Sequence, residues 1–275
     1  MRLTVQTTIL MLLMLIFFSC SGRGRGAVEY LTEAEEAYKA GNYSTAKLKI
    51  DSIKTLFPKA FNEITSGFHL MQEVRMAENK RNIAFCDSML RENYNSLTEM
   101  LVRFDYVRDD RYQEFGEYHP KSYPYKSSLN QNGLRSGVSE KGVLFIESVL
   151  SGSGLRHNQI KVSSNDGSFA ETLAVTADGL NYRFSTLEKS YEIVRFGGND
   201  ENNVAQYIYT YRDKPITLHF IGRRTITTNL SQGAKNAVSH SFELSSLLKS
   251  IEQLKVEKEK SKVLIRYLES RKEEK

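Results

Sequence analysis

The chain has 275 residues, 40 % of them apolar and 26 % charged, with a formal net charge of +5. That is enough for one large or two small domains with their own cores, and the interspersed charges of both signs argue against nucleic acid as a partner. Tryptophan is absent, so aromatic packing rests on the 15 tyrosines and 14 phenylalanines.

The N-terminus carries ten uninterrupted apolar residues, Ile9 to Phe18, running into Ser19, Cys20, Ser21 and Gly22. A bilayer-spanning helix needs about 20 apolar residues, so this segment cannot span. A basic start at Arg2, an apolar middle and small residues at the end are the three parts of a secretory signal. An N-terminal core helix ending at a buried cysteine is the competing reading. A cysteine directly after the apolar run and a small serine resembles the lipobox of bacterial lipoproteins, and the variant "FFSCS" is similar to those of Bacteroidota lipoproteins, although Phe17 and Phe18 stand where the family prefers Leu and a small residue. The resemblance implies that residues 1–19 are a signal peptide and that Cys20 carries lipid and becomes the mature N-terminus. Acyl chains at about 0.8 kcal/mol per buried CH₂ then hold the protein on a membrane without a transmembrane helix.

Residues 20–26, "CSGRGRG", read as a flexible tether that brings Arg23 and Arg25 close to anionic headgroups. The surface-export tags of Bacteroidota lipoproteins are acidic just after the cysteine, whereas this stretch is basic. Together with Ser21 after the cysteine, the resemblance implies an outer-membrane protein of the cell envelope that faces the periplasm. With Cys20 acylated, Cys86 has no partner for an intramolecular disulfide. An exposed lone thiol is a liability in an oxidising compartment, so Cys86 is expected to be buried, on the stripe Ile83, Cys86, Leu90, Tyr94, Leu97, Leu101 and Phe104.

The first folded segment, Tyr30 to Pro58, shows helical periodicity on both sides of "GN" at Gly41 and Asn42, and Pro58 ends it. Ala37, Gly41, Tyr43, Ala46, Ile50, Ile53 and the terminal proline resemble a tetratricopeptide repeat. The resemblance implies a helical hairpin in which Gly41 permits the turn and Tyr43 packs over it. No second copy follows, so the hairpin needs cover from Ala60 to Arg108, where one or two helices are expected around Gly67. Residues 27–108 thus read as a helical domain, either a self-contained bundle or a peptide-binding groove.

Residues 109–137 lose periodicity and gather turn formers, and read as a linker lying on a surface. Residues 138–230 read as an antiparallel β domain of about seven strands: Val143–Leu150, Gln159–Ser164, Phe169–Thr176, Leu180–Phe184, Tyr191–Phe196, Val204–Tyr211 and Ile216–Gly222, punctuated by Asp166-Gly167, Asp178-Gly179 and Gly197-Gly198-Asn199-Asp200. In the sixth, Tyr207, Tyr209 and Tyr211 share one face. As a strand it would pair Tyr211 with Ile216, Tyr209 with Leu218 and Tyr207 with Phe220. Burial of this row is the preferred reading, and display as a glycan or apolar-ligand platform the alternative. After a polar loop, residues 241–275 read as a long C-terminal helix with a charged gap, Lys255 to Lys262. It is expected to return to the N-terminal bundle, or to self-associate through a short coiled coil. The fold class is therefore α+β.

The five histidines are scattered, with no ligand spacing, so neither metal nor other cofactor is expected, and no Gly-x-Ser-x-Gly elbow is present. The expectation is a non-enzymatic lipoprotein held to the membrane through Cys20, acting as an interaction or scaffolding module whose partners are envelope proteins. A ligand-binding β domain is the first alternative. The second is a hydrolase whose serine and histidine meet only in three dimensions.

Overall fold

The structure, a computed structural model, describes residues 22–125, 129, 131–152, 154–176, 181–186 and 189–273. The expected signal peptide, Cys20 and the Asp178-Gly179 turn lie outside them. The chain is α+β and divides into two compact units. One comprises residues up to Ser88 together with Lys255 onward, and the other runs from Met89 to Leu254.

The first unit is helical. Helix α1 (Gly22–Lys39) and α2 (Tyr43–Leu56) form the expected hairpin. Gly41 adopts φ +73°, and the amides of Gly41 and Asn42 reach back to the carbonyls of Tyr38 (2.9 Å) and Ala37 (2.8 Å). This Schellman closure favours glycine at that position. Asn42 Oδ1 then accepts from the Thr45 amide and caps α2. Ala34 and Ala46 are fully buried, with Ile50, Met71 and Val74 completing the local core. Residues 22–26 are the first turns of α1 rather than a tether.

Helix α3 (Phe61–Leu101) is one uninterrupted element of 41 residues. Gly67 does not break it. A Cβ there would lie 3.3 Å from Ile50 Cγ2, so the glycine lets α3 approach α2 closely. Within this unit, the end of helix α5 (Gln232–Glu273) lies along α3: Asn82 Nδ2 donates to Ser261 Oγ at 2.8 Å, and Lys258 pairs with Asp87. The charged gap therefore packs against α3, and the return to the bundle is the arrangement adopted.

The second unit holds two antiparallel sheets. The six-stranded sheet is ordered β1 (Phe104–Val107), β2 (Glu117–Pro120), β3 (Gly133–Ser139), β4 (Leu144–Ser151), β8 (Ser190–Gly197), β7 (Asn181–Ser185). The four-stranded sheet is ordered β10 (Thr225–Asn229), β9 (Thr217–Ile221), β5 (Gln159–Ser163), β6 (Phe169–Glu171). Alternate residues from both, including Ile146, Leu150, Val194 and Phe196 with Ile160, Val162, Leu218 and Phe220, enter one core shared with Leu230, Ala234, Val238 and Leu244.

Three expectations are corrected here. The end of the expected helical domain is strand β1, with Phe104 of the expected helical stripe buried in the β core, and the expected linker contains β2 and the start of β3, where Leu134 is buried in the same core. The polar loop before residue 241 is the start of α5: Ser231 Oγ accepts the Ala234 amide at 3.2 Å, and Ala234, Ala237 and Val238 are buried at helical spacing. Val204–Tyr211 is not a strand. Val204–Thr210 is helix α4, with Val204, Ala205 and Ile208 buried on one face.

Candidate functional site

The tyrosine row does not survive that change of element. A helix places residues four apart on one face and residues two apart on different ones. Accordingly Tyr207 stacks on Tyr211 at 4.5 Å, while Tyr209 packs against Phe242 at 5.1 Å with the Arg212 guanidinium 4.6 Å from its ring. Tyr207 donates its hydroxyl to the Ser168 carbonyl at 2.9 Å. All three are half-buried, and Leu218 pairs with Val162 and Thr228 rather than with Tyr209. In the helical unit, Tyr43 lies beside Tyr38 and under the Arg81 guanidinium, which is 4.3 Å from its ring and donates to the Gly41 carbonyl at 2.8 Å. Gly41 and Tyr43 therefore close the hairpin and are structural.

A serine, a histidine and a carboxylate do meet in space. Ser148 Oγ is 2.7 Å from His157 Nε2, and His157 Nδ1 is 3.0 Å from Glu192 Oε2. Ser148 sits on the inward face of β4 and Glu192 on β8. His157 is brought in by the loop after Leu155, whose backbone passes so close to Gly222 that a Cβ there would lie 2.8 Å from the Leu155 carbonyl oxygen. Glu192 also accepts the backbone amides of Arg156 (2.9 Å) and His157 (3.0 Å).

Burial pulls the His157 imidazole below its ordinary value, and Glu192 offsets this only in part. Burial pushes the Glu192 carboxyl up, but the three N–H donors more than compensate and hold it below its ordinary range. The resulting state is a carboxylate accepting Nδ1–H from a neutral imidazole, whose Nε2 accepts the Ser148 hydroxyl proton. The order Ser–His–acid is that of an acyl-transfer triad. Its exposure argues against that use: Ser148 and His157 are 0 % exposed and Glu192 4 %, leaving no approach for a substrate carbonyl to Oγ.

A second polar cluster lies on the opposite face of the six-stranded sheet. Glu147 accepts Nε–H from Arg135 and Arg195, both at 2.6 Å, and the Tyr125 hydroxyl. Arg195 continues to Glu117 at 2.7 Å, and Glu117 to His119 Nε2 at 3.0 Å. The row Arg135–Glu147–Arg195 follows directly from the register of β3, β4 and β8. Burial would raise the Glu147 and Glu117 carboxyls, but Arg195 and Arg135 beside Glu147, and the hydrogen bonds that Glu117 makes with His119 and Arg195, overcome it, and Glu117 is held at about 2. The Tyr125 phenol is pushed well up, first by burial and then by Glu147. With its charges paired and its centre buried, the cluster fixes strand register rather than offering a binding site.

Neither cluster was legible as a pair of partners, since each joins residues far apart in sequence. One signal was present: "VLFIESVL" is apolar on both faces except at Glu147 and Ser148, and polar residues in the middle of a strand buried on both sides require partners.

Open surface of another kind lies in the helical unit. A groove of about 550 Å³ is lined by Asn82, Phe85, Lys260, Ser261 and Leu264. A second, of about 430 Å³, is lined by Phe68, Met71, Arg75, Tyr267 and Leu268. Phe68, Phe85, Val256, Val263 and Tyr267 are all exposed, and Val256, Val263 and Tyr267 line one apolar stripe of α5. Among the described residues, no group of three or more His, Cys, Asp or Glu is placed to hold a metal ion, and no helix is long and apolar enough to cross a membrane. Comparison with protein-family models, with curated proteins and with solved structures returned no match.

Proposed function

We propose that this chain is a lipid-anchored protein of the bacterial cell envelope, held through Cys20 to the outer membrane on its periplasmic side. In this reading it is not an enzyme, and it works by docking envelope proteins along the grooves of its helical unit. The observation that carries the reading is the run of exposed apolar side chains, Phe68, Phe85, Val256, Val263 and Tyr267, beside those grooves. Apolar surface gathered in one region marks an interaction site far more often than the same residues scattered singly. The sealed Ser148–His157–Glu192 set supports the same side of the argument.

Photo-cross-linking residues at Phe85 and Tyr267 in intact cells test the proposal, with exposed Thr227 on β10 as the control. Discrete adducts from the first two positions alone are expected. Adducts with a second copy would assign the α5 stripe to self-association, and equal labelling from all three positions would overturn the docking role.

A second reading, a glycan or apolar ligand held by the β unit, is favoured by one observation. Tyr182 and Phe184 are exposed on the edge strand β7, and Phe184 stacks on Tyr191 at 5.0 Å. A ligand-induced rise in melting temperature that is lost in Phe184→Ala would support it.

A further inference from the structure

The corner between α2 and α3 lies beside the start of α1. The Phe57 ring packs on Gly26 so closely that a Cβ there would lie 2.7 Å from Phe57 Cζ, and it meets Tyr30 edge-on at 5.7 Å. The residues around Phe57 face outward. Leu56 is 56 % exposed and Phe61 72 %, and Lys54 and Lys59 are exposed beside them. Asp51 and Glu29, exposed, and Glu63, half-buried, are carboxylates of the same region. Two large apolar side chains at a turn, flanked by lysines, have the composition of a segment that seats in the headgroup layer.

We infer that this corner docks on the phospholipid surface to which the chain is anchored, with Leu56 and Phe61 inserted at the headgroup boundary and Lys54 and Lys59 against anionic headgroups. The inference rests on the lipid-anchor reading of Cys20. Its physical basis is reach. Helix α1 begins at Gly22, two residues after Cys20, so the connecting chain spans at most about 7 Å. Gly26 is four residues further on, about 6 Å along the helix axis. Phe57 is in contact with Gly26, so an acylated Cys20 keeps the corner within about 13 Å of the anchored residue, close enough for its apolar side chains to enter an interface in which such faces are buried roughly 5–10 Å deep. A partner protein would have to compete for this corner with a surface held permanently beside it.

The absence of tryptophan supplies the test. The full-length acylated protein carrying Phe61→Trp, or separately Leu56→Trp, has one indole reporter. Ala40→Trp, in the exposed turn after α1, is the control at the far end of the hairpin, about 27 Å along α1 from Gly22. Each variant is reconstituted with vesicles of phosphatidylethanolamine and phosphatidylglycerol, with or without lipids brominated near the headgroup. Blue-shifted emission and loss of most fluorescence to brominated lipid at positions 61 and 56, but not 40, are expected. If the protein floats with the vesicles while both corner reporters behave like position 40, docking is overturned and the anchor stands. If it does not float, the anchor reading fails and takes the docking with it.

Discussion

His157 has its ring nitrogens 2.7 Å from Ser148 Oγ and 3.0 Å from Glu192 Oε2, with the ring of Phe220 edge-on at 5.3 Å. Such a histidine is an energetic commitment to neutrality. Its folded pKa lies below the ordinary 6.5, so as the pH falls through 6.5 the unfolded chain takes up a proton that the folded chain refuses. The unfolded state binds more protons, and stability must fall with falling pH, by at most about 1.4 kcal/mol per pH unit for one group. Denaturant unfolding at about pH 7.5, 6.5 and 5.5 should show this slope in the parent protein, and His157→Gln should flatten it below the ordinary imidazole value. Equal slopes in the two proteins would mean that the imidazole titrates normally and that the neutral assignment is wrong. Removing the donor instead, in Ser148→Ala, leaves a buried acceptor unpaired and should cost about 1–3 kcal/mol at neutral pH.

At the scale of elements, α4 shows why local pattern and final structure parted. Val204, Tyr207, Ile208, Tyr209 and Tyr211 favour a strand by propensity, yet capping by the preceding turn, together with burial of one helical face, selects a helix. The Glu201 carboxylate accepts the amides of Asn203 (3.2 Å) and Ala205, while Asn202 and Asn203 take left-handed conformations at φ 48° and 66°. Burial raises the Glu201 carboxyl and these two amides draw it back only in part. Glu201→Ala should therefore uncap α4 and cost about 1 kcal/mol, within a range of roughly 0.5–2, read as a shift in denaturant midpoint with unchanged slope. No shift would show that the helix is held by Val204, Ala205 and Ile208 alone.

The strands that were legible, β4 to β9, are those whose own residues carry the alternation or the continuous apolar run. The illegible ones, β1, β2, β3 and β10, are short or interrupted by glycine and polar residues, and exist through pairing with their neighbours. The α1–α2 hairpin was legible because its turn chemistry at Gly41 and Asn42 is local. The Ser148–His157–Glu192 set was not, because it depends on the register of β4 with β8 and on a loop held at Gly222.

For the molecule as a whole, the chain leaves the helical unit after Ser88 and re-enters it at Lys255, so that the bond between Asn82 and Ser261 closes a separation of 179 residues. Closure entropy grows only with the logarithm of loop length, about 0.6 kcal/mol per doubling, so an insertion of this size is thermodynamically tolerable if the rejoined contact buries enough. What it buries is visible at Cys86, which is 1 % exposed. Cys86 stands one turn after Asn82 and next to Asp87, the residues that bond Ser261 and Lys258 of α5. The returning segment thus lies along the side of α3 that carries the thiol. Removing residues 255–275 should uncover it and turn a slow reaction with an aromatic disulfide reagent into a fast one. Lys258→Ala, which deletes one partly exposed ion pair worth about 0–1 kcal/mol, should leave the rate nearly unchanged. If the truncated chain protects Cys86 as well as the full chain does, α5 is not its lid, and the early helices must supply the cover alone.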